Sequence, residues 1–343
     1  MDETSRAVVY TRSGGPEVLT LVERDVRDPG PGEVAIWVHR SGVNPTDWKS
    51  RQGGGPSAVS GARVPGQDGA GVVAAVGAGV ERSLIGQRVW IWEAAHERAD
   101  GTAQELAVVP ARQVVPLPVD ASFDLGASLG IPFMTAHRCL TVHEEGPLRL
   151  GPGALAGRFV LVAGGAGAVG NAAIQLARWS DATVITTVSS DVKARLATAA
   201  GADHIINYKR QDVVSEVRKI SPSGIDSIVE VSPAANAQID ATILAQNGSV
   251  AIYAAEGGAV LSAPVFPLMV PNGRWQFVFI YTAPSPAKAQ AVDDIAAAVD
   301  AASVNVGSEA GLPLHHFPLD RTHDAHTAVE HSAVGKVLID VRD

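Results

Sequence analysis

The residues with the plainest chemical meaning are Gly164, Gly165, Ala166, Gly167, Ala168, Val169 and Gly170. Gly165, Gly167 and Gly170 satisfy the spacing G-x-G-x-x-G. In this pattern the first glycine permits a tight turn. The second lets the backbone approach a pyrophosphate, and the third lets a helix pack closely on a strand. The helix that follows offers free N–H groups and its positive dipole end to the phosphates. The chemistry implied is dinucleotide binding, provided the loop joins a strand to a helix. Both flanks fit. Phe159-Val160-Leu161-Val162-Ala163 is an apolar run of strand length, and the stretch from Asn171 to Ala177 reads as helix.

The elements around this loop follow one pattern. From about Phe133, strands at 159–163, 183–188, 204–206, 225–231 and 249–254 alternate with helices at 169–180, 191–200, 211–220 and 235–245. Such βαβ alternation predicts an α/β fold with a doubly wound parallel sheet of the Rossmann type. Asp191 is the expected N-cap of the second helix, and Gly201 its C′ residue. Trp275–Tyr281 reads as one more strand, unusually aromatic and suited to a subunit edge. Residues 1–125 show short strands between Gly/Pro breaks and no long amphipathic helix, which predicts a barrel-like β domain. Pro284 and Pro286 break the chain again before an alanine-rich helix at 287–302. A final strand at 335–341 is expected to return to the β domain.

Composition bounds the function. A chain of 343 residues suggests two domains. A net charge of −9 argues against nucleic acid or an anionic membrane as partner. With Cys139 as the single cysteine, no internal disulfide can form, nor a zinc site built on several thiolates. The N-terminus lacks the pattern of a secretion signal and no apolar run approaches membrane-spanning length, so a cytoplasmic protein is expected. His315, His316, His323, His326 and His331 cluster late, but as a polar, exposed face rather than a ligand set. No metal is expected.

The second strand of the sheet indicates which dinucleotide. An NAD site places Asp or Glu at its end, to hold the ribose hydroxyls. Here the strand ends Thr187-Val188-Ser189-Ser190, with no carboxylate at the tip. The hydroxyls of Ser189 and Ser190 and the ammonium of Lys193 would attract a 2′-phosphate that a carboxylate would repel. Tyr208, after the third strand, could cover the adenine. The expected cofactor is NADPH.

Further motifs stand in fixed order along the chain. They are Gly42-Val43-Asn44-Pro45-Thr46-Asp47, the stretch Pro65-Gly66-Gln67-Asp68-Gly69-Ala70-Gly71-Val72-Val73, Gly130-Ile131-Pro132-Phe133-Met134-Thr135-Ala136, and Gly335-Lys336-Val337-Leu338-Ile339. With the glycine loop they make nearly the whole chain resemble the zinc-independent quinone oxidoreductases of the medium-chain dehydrogenase/reductase superfamily, the group that includes zeta-crystallin. The resemblance implies a Rossmann NADPH-binding domain, residues 131–283, inserted into a GroES-like β-barrel catalytic domain, residues 1–130 plus 284–343. It also implies a homodimer and a small-molecule quinone or enone substrate held in a cleft against the nicotinamide. By matched motif, Asn44 and Thr135 resemble residues lining that cleft. Ser189, Lys193 and Tyr208 match the adenosine-phosphate end; Ser190 and Ser232 are counted with the cofactor-binding residues. Tyr253 and Ala254 match the stretch under the nicotinamide, and Phe279 and Ile280 the last Rossmann strand beside that ring. Two positions depart from the pattern. His331 stands where the family often has an arginine for the 2′-phosphate, and Lys49 where some members have a tyrosine.

The zinc alcohol dehydrogenases share this fold, but their cysteine position is Asn44 here and their histidine position is Gln67. A catalytic zinc needs about three protein ligands. Without a metal, hydride transfer must come from positioning, from exclusion of water, and from hydrogen bonds to the quinone oxygens as charge develops. Asn44, Lys49 and Thr135 could supply those bonds. Asp47 could orient Lys49 or cap a turn. The rival reading is an NADPH-dependent reductase of enones or enoyl thioesters, disfavoured because residues 52–57 lack a tyrosine proton donor. A second rival is a non-catalytic, crystallin-like NADPH-binding protein. The Gly-, Ser- and Pro-rich stretch 53–61 is expected to gate the cleft.

Overall fold

The computed structural model describes residues 4–54, 61–144 and 146–342, so most of the stretch 53–61 lies outside the described residues. The chain opens with β1 (Thr4–Val9), β2 (Thr20–Asp25), β3 (Glu33–Val43), α1 (Pro45–Arg51), β4 (Asp68–Val76), β5 (Arg88–Ile91), β6 (Leu106–Pro110), β7 (Val114–Pro116) and α2 (Phe123–Leu140). It continues through β8 (Phe159–Ala163), α3 (Ala168–Trp179), β9 (Thr183–Val188), α4 (Asp191–Ala199), β10 (His204–Asn207), α5 (Val213–Ile220), β11 (Ile225–Glu230), α6 (Pro233–Ile243), β12 (Leu244–Ile252), α7 (Val265–Met269), β13 (Arg274–Phe277) and α8 (Ser285–Asp300). The last elements are β14 (Leu314–Pro318), α9 (Thr322–Glu330) and β15 (Lys336–Asp340). Two compact units result: residues 1–131 with 314–343, and residues 132–313.

The second unit is built on a six-stranded sheet in the order β10-β9-β8-β11-β12-β13, parallel at every pairing. The order reverses between β8 and β11, where ligands of doubly wound sheets bind. Its strands are nearly continuous apolar runs, as expected where helices cover both faces. Leu161, Ile185, Ile228 and Val250 form the core against Val217 of α5 and Ile243 of α6. In the first unit β14, β15, β3, β4, β5 and β7 form one sheet, with β6 also paired to β3. β15 lies antiparallel to β3, with Leu338 opposite Gly42. That pairing brings the end of the chain onto the strand that leads into α1.

The structure corrects several expectations. The return to the first unit comes at 314, not 284. α8 stays with the Rossmann unit because the buried Asp294 binds it there: its carboxylate accepts Arg149 Nε and the Leu150 N–H at 2.7 Å, and lies 2.7 Å from His137 Nε2. The aromatic strand is short. β13 ends at Phe277, opposite Ile252, where β12 also ends. Without a ladder partner the chain turns into a 3₁₀ turn at Ile280–Thr282. A long helix, α2, begins already at Phe123 and carries Pro132 inside it. The N-cap of α4 is Ser190, whose hydroxyl accepts the Lys193 N–H at 3.3 Å, and Asp191 is the first helical residue. Gly201, with φ +101°, ends the same helix as expected.

Candidate active site

The glycine loop lies between β8 and α3. The left-handed turn falls at Gly164 (φ +72°), one residue ahead of the motif's first glycine. Gly165 and Gly170 are glycines for packing. A Cβ on Gly165 would strike Thr186 Oγ1 and come within 2.8 Å of Ile174 Cδ1. A Cβ on Gly170 would strike the Gly164 carbonyl oxygen and come within 2.9 Å of Gly165 Cα. Gly167 is different. It caps α3, and a Cβ there would meet only the Gly164 oxygen at 3.5 Å. Its missing side chain leaves open space in front of a helix N-terminus, as a pyrophosphate requires. Ala168 and Val169 are the first helical residues after it, and Ala166 is buried.

Beside the loop, the tip of β9 carries no carboxylate. Thr187 accepts the Gly164 N–H at 3.1 Å, and Val188 accepts the Tyr208 N–H at 3.1 Å. This places Ser189, Ser190 and Lys193 at the start of α4, next to the segment that carries Tyr208. The Lys193 ammonium has no ion-pair partner among the described residues. Asp191 does not face such a site as a free acid, because Arg210 binds it at 3.0 and 3.2 Å. Sequence reasoning passed over Arg210 and over Lys209, whose ammonium lies 5.3 Å from the Tyr208 ring centre. The dipeptide Lys209-Arg210 directly after the third strand was the available signal.

Two cavities collect the remaining cofactor candidates. One, of about 360 Å³, is lined by Gly164, Tyr208 and Ser232, with Glu230 and Asp240 also in its wall. The other, of about 460 Å³, is lined by Tyr253, Ala254 and Phe279, with Arg138, Gln276 and Thr282. Burial pushes the Tyr253 phenol up, so it stays neutral. Ile280 is buried, and Phe279 is half exposed. Thr135 is buried in α2, and its hydroxyl has no hydrogen-bond partner among the described residues.

The first unit holds Asn44, Lys49 and His331. Asn44 precedes α1 and is buried with its side chain engaged. Its Nδ2 donates to Asp68 Oδ2 at 2.7 Å, and its Oδ1 accepts from Lys336 Nζ at 2.8 Å. Lys336 also lies 3.3 Å from Asp68 Oδ2, and Asp68 Oδ1 accepts the Ile131 N–H at 2.8 Å. Asp47 turns back to accept the Asn44 N–H at 2.7 Å, so it caps α1. The exposed Lys49 sets its ammonium 5.5 Å from the Trp48 ring centre. Burial pushes the Asp47 carboxyl from 3.8 up to about 7, and Asp68 adds to this while Lys336 opposes it. One ammonium thus faces two carboxyls; it stays with Asp68, and Asp47 holds its proton to near neutrality. The Gln67 side-chain oxygen is buried and has no hydrogen-bond partner among the described residues. His331 ends α9 and is exposed. His326 does not share a polar face: it is buried, and burial beside Arg51 pushes its imidazole down to about 3. Among the described residues no group of three or more His, Cys, Asp or Glu side chains could hold a metal ion, and no helix could cross a membrane.

Comparison with known proteins agrees with this architecture. Residues 30–119 match the alcohol dehydrogenase GroES-like domain, and residues 168–298 match the zinc-binding dehydrogenase family. The quinone oxidoreductase of Lama guanicoe is 31% identical over 339 residues, covering 97% of each chain. The rat synaptic vesicle membrane protein VAT-1 homolog is 32% identical over 280 residues, 81% of this chain and 66% of that protein. Among solved structures, a mycobacterial protein complexed with NADPH superposes with a TM-score of 0.80 at 27% identity, covering 98% of this chain and 99% of that one. The chain belongs to the quinone oxidoreductase family of the medium-chain dehydrogenases/reductases.

Proposed function

We propose that the protein is an NADPH-dependent oxidoreductase that reduces a quinone without zinc. The observation that carries the reading is the open space at Gly167 beside a strand tip with two serines, a lysine and no carboxylate. When bound, NADPH supplies the hydride. Gly164–Val169 and the α3 N-terminus hold the pyrophosphate. Ser189, Ser190 and Lys193 hold the 2′-phosphate, with His331 as a further candidate. Tyr208 and Ser232 line the adenosine end, and Tyr253, Ala254, Phe279 and Ile280 the nicotinamide end. The donors for the quinone oxygens are Lys49 and Thr135. Asn44 has one N–H left after its bond to Asp68, and it serves chiefly to hold that end of α1. Asn44 and Gln67, neither a usual zinc ligand, support chemistry without zinc.

Initial rates of NADPH and NADH oxidation with 9,10-phenanthrenequinone and with a simple enone test the reading. Quinone turnover with a strong preference for NADPH is expected. Turnover with the enone alone would move the protein to the alkene reductases, and binding without turnover to the crystallin-like role. Lys193→Glu is expected to weaken NADPH binding by about tenfold or more while leaving NADH binding nearly unchanged. An equal loss for both cofactors would remove Lys193 from the phosphate site.

The homodimer belongs to the same proposal. β13 is an edge strand of the six-stranded sheet, and Phe266, Met269, Val270 and Phe277 around it are each more than 60% exposed. An unpaired edge with large apolar side chains favours pairing with a second copy about a two-fold axis. Light scattering should give a dimer for the natural chain and a monomer for Phe266→Asp combined with Phe277→Asp. A natural chain that is monomeric at micromolar concentration would end this part of the reading.

A further inference from the structure

The cavity that holds Gly164, Tyr208 and Ser232 has an unusual floor. Glu230, the last residue of β11, and Asp240, on α6, both line it, and neither is more than 1% exposed. The Glu230 carboxylate accepts the Ser232 N–H, and Asn236 Nδ2 lies 3.2 and 3.1 Å from its two oxygens. Ser232 and Asn236 are the cap and first turn of α6, so Glu230 fixes how that helix starts over the cavity. Asp240 is four residues beyond Asn236 and on the same helix face. Its carboxyl lies against that of Glu230, and its Oδ2 meets no N–H or O–H donor among the described residues. Two buried carboxyls in contact cannot both ionise, and a hydrogen bond between them requires one proton.

The N–H donors of Ser232 and Asn236 serve Glu230, but no cation among the described residues relieves the pair. The ionisable groups facing it are Tyr208 after β10, Asp212 at the start of α5, and Tyr253 after β12, which itself neighbours Glu256; none is a cation. Asp212 is occupied in capping α5 through the Ser215 N–H at 2.7 Å. Arg218 of α5 reaches α6 only at its far end, through the Thr242 carbonyl. α7, which also packs on α6, has no ionisable side chain. Burial raises both carboxyls, and the Glu230 charge raises Asp240 further.

We propose that Glu230 and Asp240 share a single proton, and that this proton positions the β11–α6 turn, with Ser232 and Asn236, in the shape that binds the nucleotide. The inference rests on the reading of this cavity as the adenosine end of the NADPH site. Asp240 is a positioning residue. While the proton is present, the two carboxyls draw together and α6 starts where Glu230 holds it. Its loss as pH rises sets two buried negative charges against each other. Asp240 is then driven off, and the turn loosens.

The test measures NADPH dissociation constants by cofactor fluorescence on the full chain, from neutral to alkaline pH, with infrared spectra of the carboxylic C=O band. The natural protein should show a protonated-carboxyl band beyond that of Asp47, seen as its difference from Asp240→Asn. Its affinity should hold while the shared proton is present and then fall by about tenfold per pH unit once it leaves. Asp240→Ala should bind NADPH more weakly at neutral pH by about tenfold. Asp240→Asn, whose amide can donate to Glu230 as the protonated acid does, should rescue most of that loss, lack the band, and lose the alkaline fall. Binding without the band, or an Asp240→Asn profile that falls like the natural one, would overturn the proposal. So would an Asp240→Asn protein that is folded yet binds no better than Asp240→Ala. No NADPH binding by the natural protein at any pH would remove the nucleotide reading itself, and the role of the pair with it.

Discussion

Lys336→Ala is expected to lower the unfolding free energy of the protein by about 3–5 kcal/mol, the usual result of removing one partner from a buried ion pair. Lys336 and Asp68 are both 1% exposed or less. Without the ammonium, Asp68 keeps only Asn44 and the Ile131 N–H. The double variant Lys336→Met with Asp68→Asn should recover much of the loss, because it leaves no uncompensated buried charge. The pH dependence gives an independent check. Asp47 has a folded value raised from 3.8 to about 7, so the folded state holds its proton more tightly than the unfolded one. Its contribution is complete below the unfolded value and is lost as pH rises through the folded one. Lys336 opposes that rise, so removing it should raise Asp47 further, and the variant should go on losing stability above neutral pH, where the natural protein's loss levels off. Urea denaturation from mildly acidic to alkaline pH measures both effects. A single variant that loses less than about 1 kcal/mol would show that Lys336 does not hold this cluster together.

Much of the Rossmann unit was legible because its signals are local. A strand, a glycine loop and a helix stand within one short stretch, and apolar runs alternate with helices at regular spacing. The serine-serine-lysine end of β9 could be read in the same way. What stayed hidden depends on residues far apart in the chain. Lys336 meets Asn44 and Asp68 only because β15 pairs with β3 and β3 with β4. No sequence window contains that contact. Glu230 and Asp240 are closer in sequence, yet an acid ending an apolar strand looks like an ordinary strand end until burial is known. The misplaced boundary at 284 has the same origin. Two prolines mark a break in the chain but not which unit the next helix joins, and that is decided by Asp294 meeting His137 and Arg149. The short β13 shows the limit of pattern reading: Trp275–Tyr281 has strand character throughout, but the ladder stops where β12 stops.

The glycine loop yields the other large effect, and it separates two reasons for glycine within one motif. Gly170→Ala should destabilise the protein by about 1–3 kcal/mol, the cost of forcing extra volume into a packed site. Its new methyl group would collide with the Gly164 carbonyl oxygen, which is backbone and cannot swing aside. Gly167→Ala should behave otherwise. Gly167 has a φ of −83°, which alanine adopts freely, and the added methyl group would meet nothing closer than 3.5 Å. Its stability should stay within about 1 kcal/mol of the natural protein. Its NADPH affinity, however, should fall by at least about tenfold, because the methyl group occupies the space through which the backbone approaches a pyrophosphate. Thermal denaturation without cofactor, paired with NADPH titration, measures the two quantities on the same samples. A Gly167→Ala protein that is stable and still binds NADPH normally would mean that the phosphates do not lie against this loop. The nucleotide reading of the unit would then fail at its first residue.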